Sequence, residues 1–169
     1  MIRFLRSCFV FLVFFGGVQA QADEMPIPTG PVILQMSGEI SRHNNEDLAE
    51  FDLEMLQALP RTELRTTTIW TDGMQEFVGV ELGDLLDYIG ANGTVIDAWA
   101  INDYYAEIPL TDAVPGSALI AYQRNGKPMS VRDKGPLWVI YPYDHSSDFR
   151  TEVYFSRSVW QLNRLEVLR

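Results

Sequence analysis

Of the 169 residues, 13 are Lys or Arg and 23 are Asp or Glu, giving a formal charge of −10. That balance argues against nucleic acid and anionic membrane as partners, whose binding rests on basic patches. The length suits one domain with a sizeable core, and Cys8 as the only cysteine rules out a disulfide framework.

Residues 1–22 read as a secretory signal peptide. Arg3 and Arg6 form a positive start, Cys8 to Phe15 is an unbroken apolar run, and Ala20-Gln21-Ala22 fits a small-x-small cleavage site. The apolar run is far shorter than the roughly 20 residues of a spanning helix, so cleavage and no lasting membrane insertion are expected. The mature chain then carries 11 basic and 23 acidic side chains, a formal charge of −12. Residues 23–31, with three prolines, predict an extended and loosely structured lead-in.

The domain is expected over residues 32–168. Val32 to Ile40 reads as a strand, with Gly38 as a bulge. Asp52 caps a short helix over 53–58, which Pro60 stops. The threonine-rich stretch from Thr62 to Trp70 predicts a strand, Asp72-Gly73 a turn, and Gln75 to Val80 the returning strand. Leu82, Leu85, Leu86 and Ile89 recur at helical spacing, and Gly90 fits the C-terminal cap. Strands over 94–101 and 104–110 flank an Asn102-Asp103 turn. Leu119 to Arg124 and Leu137 to Tyr141 are further strands, and Asn125-Gly126 is a strong hairpin signal because both central residues need positive φ. Residues 149–155 carry no clear periodicity, and 159–168 reads as a final strand. The fold class is α+β and β-dominated.

Three groups of residues could form a binding site. Trp70 and Asp72 share a face if the backbone there is extended. A ring beside a carboxylate suits a flat heterocycle with an amidine-like edge, because the carboxylate accepts two parallel donors. Alternatively Trp70 is core and Asp72 only opens a turn. Asn102, Asp103 and Tyr104 could line a pocket, or make a tight turn between strands. Arg132, Asp133 and Lys134, near Arg124 and Lys127, concentrate positive charge in an acidic protein. They could hold an anion or form a solvated loop, and Gly135-Pro136 could let the backbone approach a ligand. Trp138 follows that loop directly and is a further candidate, whereas Trp99, Trp160, Tyr141 and Tyr143 read as core. His43 and His145 are too far apart in sequence to suggest a zinc site. Hydrolase-elbow, phosphate-loop and dinucleotide-binding motifs are absent.

The order of parts from Val32 to Val167 resembles the sulfite-oxidase-type, oxidoreductase molybdopterin-binding family. The resemblance is carried by LIAYQRNGKPMSVRDKGPLWVIYP at 119–142 and SVWQLNRLEV at 158–167. It implies that family's fold. It also places the metal-binding cysteine thiolate in the segment that here reads TTTIWTDG at 66–73, which has no cysteine. Soft thiolates are the usual protein ligands for such a metal. The chain is therefore most similar to small, exported, cysteine-less pterin-binding (PruR-like) members. That likeness implies a periplasmic protein with pterin as ligand, no redox cofactor and no catalysis. Its implied partner is the periplasmic domain of an inner-membrane signalling protein, of the cyclic-di-GMP or histidine-kinase kind. Two alternatives stand beside it. One is a molybdopterin-dependent oxidoreductase with an oxygen ligand from Asp72 or Thr71. The other is an interaction domain with an emptied pocket.

Overall fold

The computed structural model describes residues 25–169, so the predicted signal peptide lies outside the described residues. The chain runs β1 (Leu34–Gly38), β2 (Ala49–Phe51), α1 (Leu53–Ala58), β3 (Thr62–Thr68), β4 (Thr71–Glu81) and α2 (Leu82–Ile89). It continues through β5 (Val95–Ala100), β6 (Tyr105–Pro109), β7 (Leu119–Arg124), β8 (Lys127–Pro128), β9 (Leu137–Ile140), α3 (Glu152–Arg157) and β10 (Trp160–Leu168). The expected α+β, β-dominated class is what the chain forms.

One sheet connects these strands in the order β2-β1-β10-β9-β7-β4-β3, with β5 on β10, β6 on β5 and β8 on β7. β10 holds the sheet together. Its start pairs with β9 through Trp160 and Leu162, and its end pairs with β1 through Arg164 to Val167. β5 runs along it antiparallel. The change of neighbour falls at an irregularity between Leu162 and Arg164, close to Gln161 with φ of +53°. The β1–β10 pair is parallel and joins the two ends of the domain, so the fold closes only when the last strand is in place.

Period-2 alternation produces the core. In β5 Ile96, Ala98 and Ala100 point inward, and in β10 Leu162, Leu165 and Val167 do. β9 is buried at every position because both of its faces are covered. α2 forms as its spacing predicts. Leu82, Leu85, Leu86 and Ile89 are all buried, Gly90 adopts the left-handed cap, and its N–H reaches the carbonyls of Leu86 and Asp87. Each such burial contributes about 1.5–3 kcal/mol relative to exposure.

Three local expectations change. The turn between β3 and β4 is Ile69-Trp70, and Asp72-Gly73 lies within β4. Thr67 alone faces the three residues 72–74 across the ladder, a bulge that Gly73 accommodates at φ of +69°. Residues 149–155, which lack a clear sequence signal, become the end of a single 3-10 turn and most of α3. The lead-in is tied down: Met25 is buried, and the N–H groups of Thr29 and Gly30 donate to Asp52 Oδ2 at 2.9 and 2.8 Å.

Asp52 is thus both the predicted N-cap of α1, accepting from Met55 N at 2.9 Å, and the anchor of the lead-in. Those backbone donors, Met55 first and then Gly30, hold its carboxyl below the ordinary value of 3.8. A depressed folded value means that its stabilisation is present above that pH and is lost as pH falls through the folded value. Asp52→Ala is expected to lose about 1–2 kcal/mol at neutral pH by chemical denaturation, as cap removals do. The deficit relative to wild type should shrink on acidification below pH 3.8. A deficit independent of pH would show that the charge of Asp52 contributes nothing.

Candidate functional site

The β3–β4 turn positions the central side chain. Thr68 and Thr71 flank it with their hydroxyls 2.7 Å apart, and Trp70 N donates to Thr68 Oγ1 at 3.1 Å. Two further contacts fix the hairpin. Asp144 accepts from Thr67 N at 2.6 Å and Thr67 Oγ1 at 2.9 Å, with Arg150 at 2.7 Å. These donors, the Thr67 N–H first, lower its pKa. On the other strand, Gln75 Nε2 donates to the Asp72 carbonyl at 2.7 Å, and its Oε1 accepts from Asn125 Nδ2 at 2.9 Å. The predicted Asn125-Gly126 turn therefore braces the bulge as well as reversing its own chain.

Held this way, Trp70 is half-buried. Its ring meets Trp160, Trp138, Phe155 and Tyr143 at centroid distances of 5.6, 5.8, 5.8 and 6.2 Å, all tilted or edge-on. These are favoured aromatic geometries. Both sequence readings of Trp70 hold in part: one side is core, and the rest is the wall between two clefts.

The first cleft is largely apolar, with a volume of ≈ 360 Å³. Ile69, Trp70, Phe155 and Trp160 form its walls, and Asn102, Tyr104, Glu152 and Ser158 supply polar groups. Tyr104 is fixed across the mouth, donating from its hydroxyl to Ser156 O at 2.9 Å. Below, Ser158 Oγ donates to Tyr154 O at 2.6 Å and lies 2.5 Å from Tyr143 Oη. Burial pushes the Tyr143 phenol up to about 12, so it stays protonated and serves as a donor. Behind α3, buried Asp112 accepts from Tyr141 Oη at 2.9 Å and Arg157 Nη1 at 3.0 Å. Burial first, and then the Asp112 carboxylate, raise the Tyr141 pKa. This pair fixes the end of the helix that carries Glu152 and Phe155.

The second cleft, also ≈ 360 Å³, lies on the other side of Trp70 and is polar. It collects Asp72, Gln75, Arg124, Arg132, Asp133 and Lys134. Asp133 shapes the loop by accepting from Ser130 Oγ at 2.8 Å. Lys134, at φ of +73°, sets its ammonium 4.3 Å above the Trp160 ring and 5.6 Å from that of Trp138. Three cations in one cleft of an acidic protein suit an oxyanion.

The structure thus brings together Trp70, Asp72, Arg132, Asp133 and Lys134 around one cleft, and Trp70, Asn102 and Tyr104 around the other. Two candidates lie elsewhere. Asp103 is in the predicted turn at φ of +63°, 84% exposed, and faces Arg164 at 3.4 Å outside both clefts. Trp138 is fully buried and donates from Nε1 to Ser158 O at 3.2 Å, so it supports the walls from beneath instead of lining them. The expected role of Gly135 changes too. A Cβ there would strike the Met129 backbone, so this glycine serves close packing inside the protein, not approach to a ligand. Sequence reading missed Glu152, Phe155 and Ser158. The first two lie in the stretch without periodicity, and Ser158 was singled out only as part of a family motif.

The sequence pattern of the oxidoreductase molybdopterin binding domain matches residues 39–169, and the chain belongs to that family. Among solved structures it is similar to the sulfane dehydrogenase SoxCD from Paracoccus pantotrophus, at 20% identity and a TM-score of 0.59. The match covers 80% of this chain and 37% of that one, so this chain spans well under half of its neighbour's length. A search of curated proteins gave no match.

The cofactor in the family's name can be tested against the donors present. A flat ring fits the apolar cleft, and an anionic tail fits the cationic one. The metal does not fit: Cys8 is the only cysteine, and no three His, Cys, Asp or Glu side chains among the described residues converge on a metal-sized site.

Trp70→Ala is expected to cost about 2–4 kcal/mol by urea denaturation, below a fully buried tryptophan because part of the ring is open. A loss under about 0.5 kcal/mol, the usual scale of a surface substitution, would show that the ring contacts contribute nothing.

Proposed function

We propose that this is a periplasmic pterin-binding protein in which binding, not redox catalysis, is the activity, and whose ligand status is relayed to the periplasmic domain of an inner-membrane signalling protein. The observation that carries the reading is the division of one site by Trp70 into a flat apolar cleft with a carboxylate and a polar cleft with three cations, in a hairpin without a thiolate. The pterin ring would occupy the apolar cleft, between the aromatic walls. Its N3–H and 2-amino edge presents two donors, which Glu152 can accept and Asn102 can supplement. Arg124, Arg132 and Lys134 would hold an anionic substituent. Asp72 sits among those cations and orients them. Export is supported by the sequence of the leader, and the signalling partner by family likeness alone.

Titration of a tetrahydropterin is the direct test, with Glu152→Gln, Arg132→Gln and Asp72→Asn compared with wild type. Glu152→Gln should weaken binding at least tenfold, because each charged hydrogen bond is worth about 1.5–3 kcal/mol and about 1.4 kcal/mol is one decade. Asp72→Asn should leave a phosphate-free pterin bound nearly as in wild type. Equal binding by wild type and all three folded variants would put the site elsewhere. No binding by wild type would favour the interaction-domain reading.

A second reading is a molybdopterin-dependent oxidoreductase with an oxygen ligand from Asp72 or Thr71. Family membership favours it, and the structural neighbour is by its title a dehydrogenase. Elemental analysis separates the two. Protein made in a host that synthesises molybdopterin should contain well under one molybdenum per chain, and a value near one would replace the binding reading with the enzymatic one.

A further inference from the structure

The outer face of β10, β5 and β6 carries a row of carboxylates that the site does not use. Strand register sets Glu166 opposite Asp97 and Asp97 opposite Glu107, so three acidic side chains stand side by side across three strands. Directly opposed side chains in antiparallel strands have Cβ atoms about 4.5–5.5 Å apart, and like charges there are destabilising. None of the ion pairs among the described residues involves the three. Asp97 Oδ1 is buried without a hydrogen-bond partner. The next row on the same face is different in kind. Arg164 opposes Trp99, and Trp99 opposes Tyr105. The two rings stack at 4.7 Å and 21°, and the Arg164 guanidinium lies 5.2 Å from the Trp99 ring. Tyr105 remains 49% exposed. A guanidinium on an aromatic face is thus already accommodated in that row, and a row of uncompensated carboxylates adjoins it.

We infer that this face docks an arginine-bearing helix of a partner protein, laid across the strands along the Glu166–Asp97–Glu107 row. A helix fits because its i and i+4 side chains are about 5–6 Å apart, close to the cross-strand spacing. Arginine fits better than lysine because its planar fork meets carboxylates bidentately and stacks on rings. The acidic row is then a local repulsion that the free protein tolerates and the complex relieves. The inference is independent of the pterin reading, since no residue of the row lines either cleft.

The test uses the full chain and a fluorescent alanine-based helical peptide with arginines at i, i+4 and i+7. Wild type should bind it, more weakly as salt rises. The triple variant Asp97→Asn, Glu107→Gln, Glu166→Gln should bind at least tenfold more weakly while melting no lower than wild type. Glu107→Gln alone provides a milder second variant and should lose affinity in the same direction. A charge-matched control, Glu63→Gln, Glu76→Gln, Asp84→Asn, should bind as wild type. Loss of equal size in the control would mean attraction to net charge alone and would overturn the proposal. So would absence of binding to wild type, unchanged binding by the triple variant, or equal binding of a peptide with the arginines scrambled.

Discussion

The site depends on how the β3–β4 hairpin is wedged against the rest of the domain. A two-residue turn places Trp70 where its ring must enter an aromatic cluster drawn from three distant parts of the chain: Trp138 from β9, Phe155 from α3 and Trp160 from β10. An unsupported hairpin tip would be mobile. Here Asp144 ties one strand to the loop after β9, and Gln75 with Asn125 ties the other to the turn after β7. The ring is consequently a fixed partition, and the two clefts have different chemistry because different elements face its two sides. Aromatic residues and α3 border one, and the basic loop borders the other.

The partition changes what the family fold can do. In the hairpin where family resemblance places a thiolate, this chain offers an indole and a carboxylate. Those groups suit stacking and hydrogen bonding, which need no metal. The supporting shell is strong for such a small domain. The Tyr141–Asp112–Arg157 cluster and the Tyr143–Ser158 contact are buried polar pairs that leave their members hydrogen-bonded. Removing one partner from such a pair costs more than the pair contributes net, because the other is left unsatisfied. They fix the position of α3 and therefore of Glu152, whose own side chain is free to meet solvent or ligand.

Two regions break local rules, and they lie on different faces. Lys134 holds a left-handed backbone conformation and lies over Trp160, at the edge of the cationic cleft. On the outer sheet face, Asp97, Glu107 and Glu166 stand in direct register with no cation between them. Departures from local consistency tend to mark function. The first adjoins the ligand site, and the second is the basis for assigning a partner surface.

The sequence by itself determined the elements whose signals are local. α1 and α2 follow from their apolar spacing and caps, and the Asn102-Asp103 and Asn125-Gly126 turns follow from residues that tolerate positive φ. It also gave the order of strands along the chain and the concentration of cations at 124–134. Tertiary structure decided what depends on distant partners. Trp70 became the turn residue and Asp72 a bulge residue because the flanking threonines pair and Gln75 holds the bulge carbonyls, neither of which appears in a period-2 pattern. Trp138 was drawn into the core and Asp103 turned outward because strand register, set by packing over the whole sheet, fixes which way each side chain points. Glu152 entered the cleft because α3, too short to declare itself by periodicity, is held in place by contacts to residues 45 or more positions away at Asp112 and Tyr104.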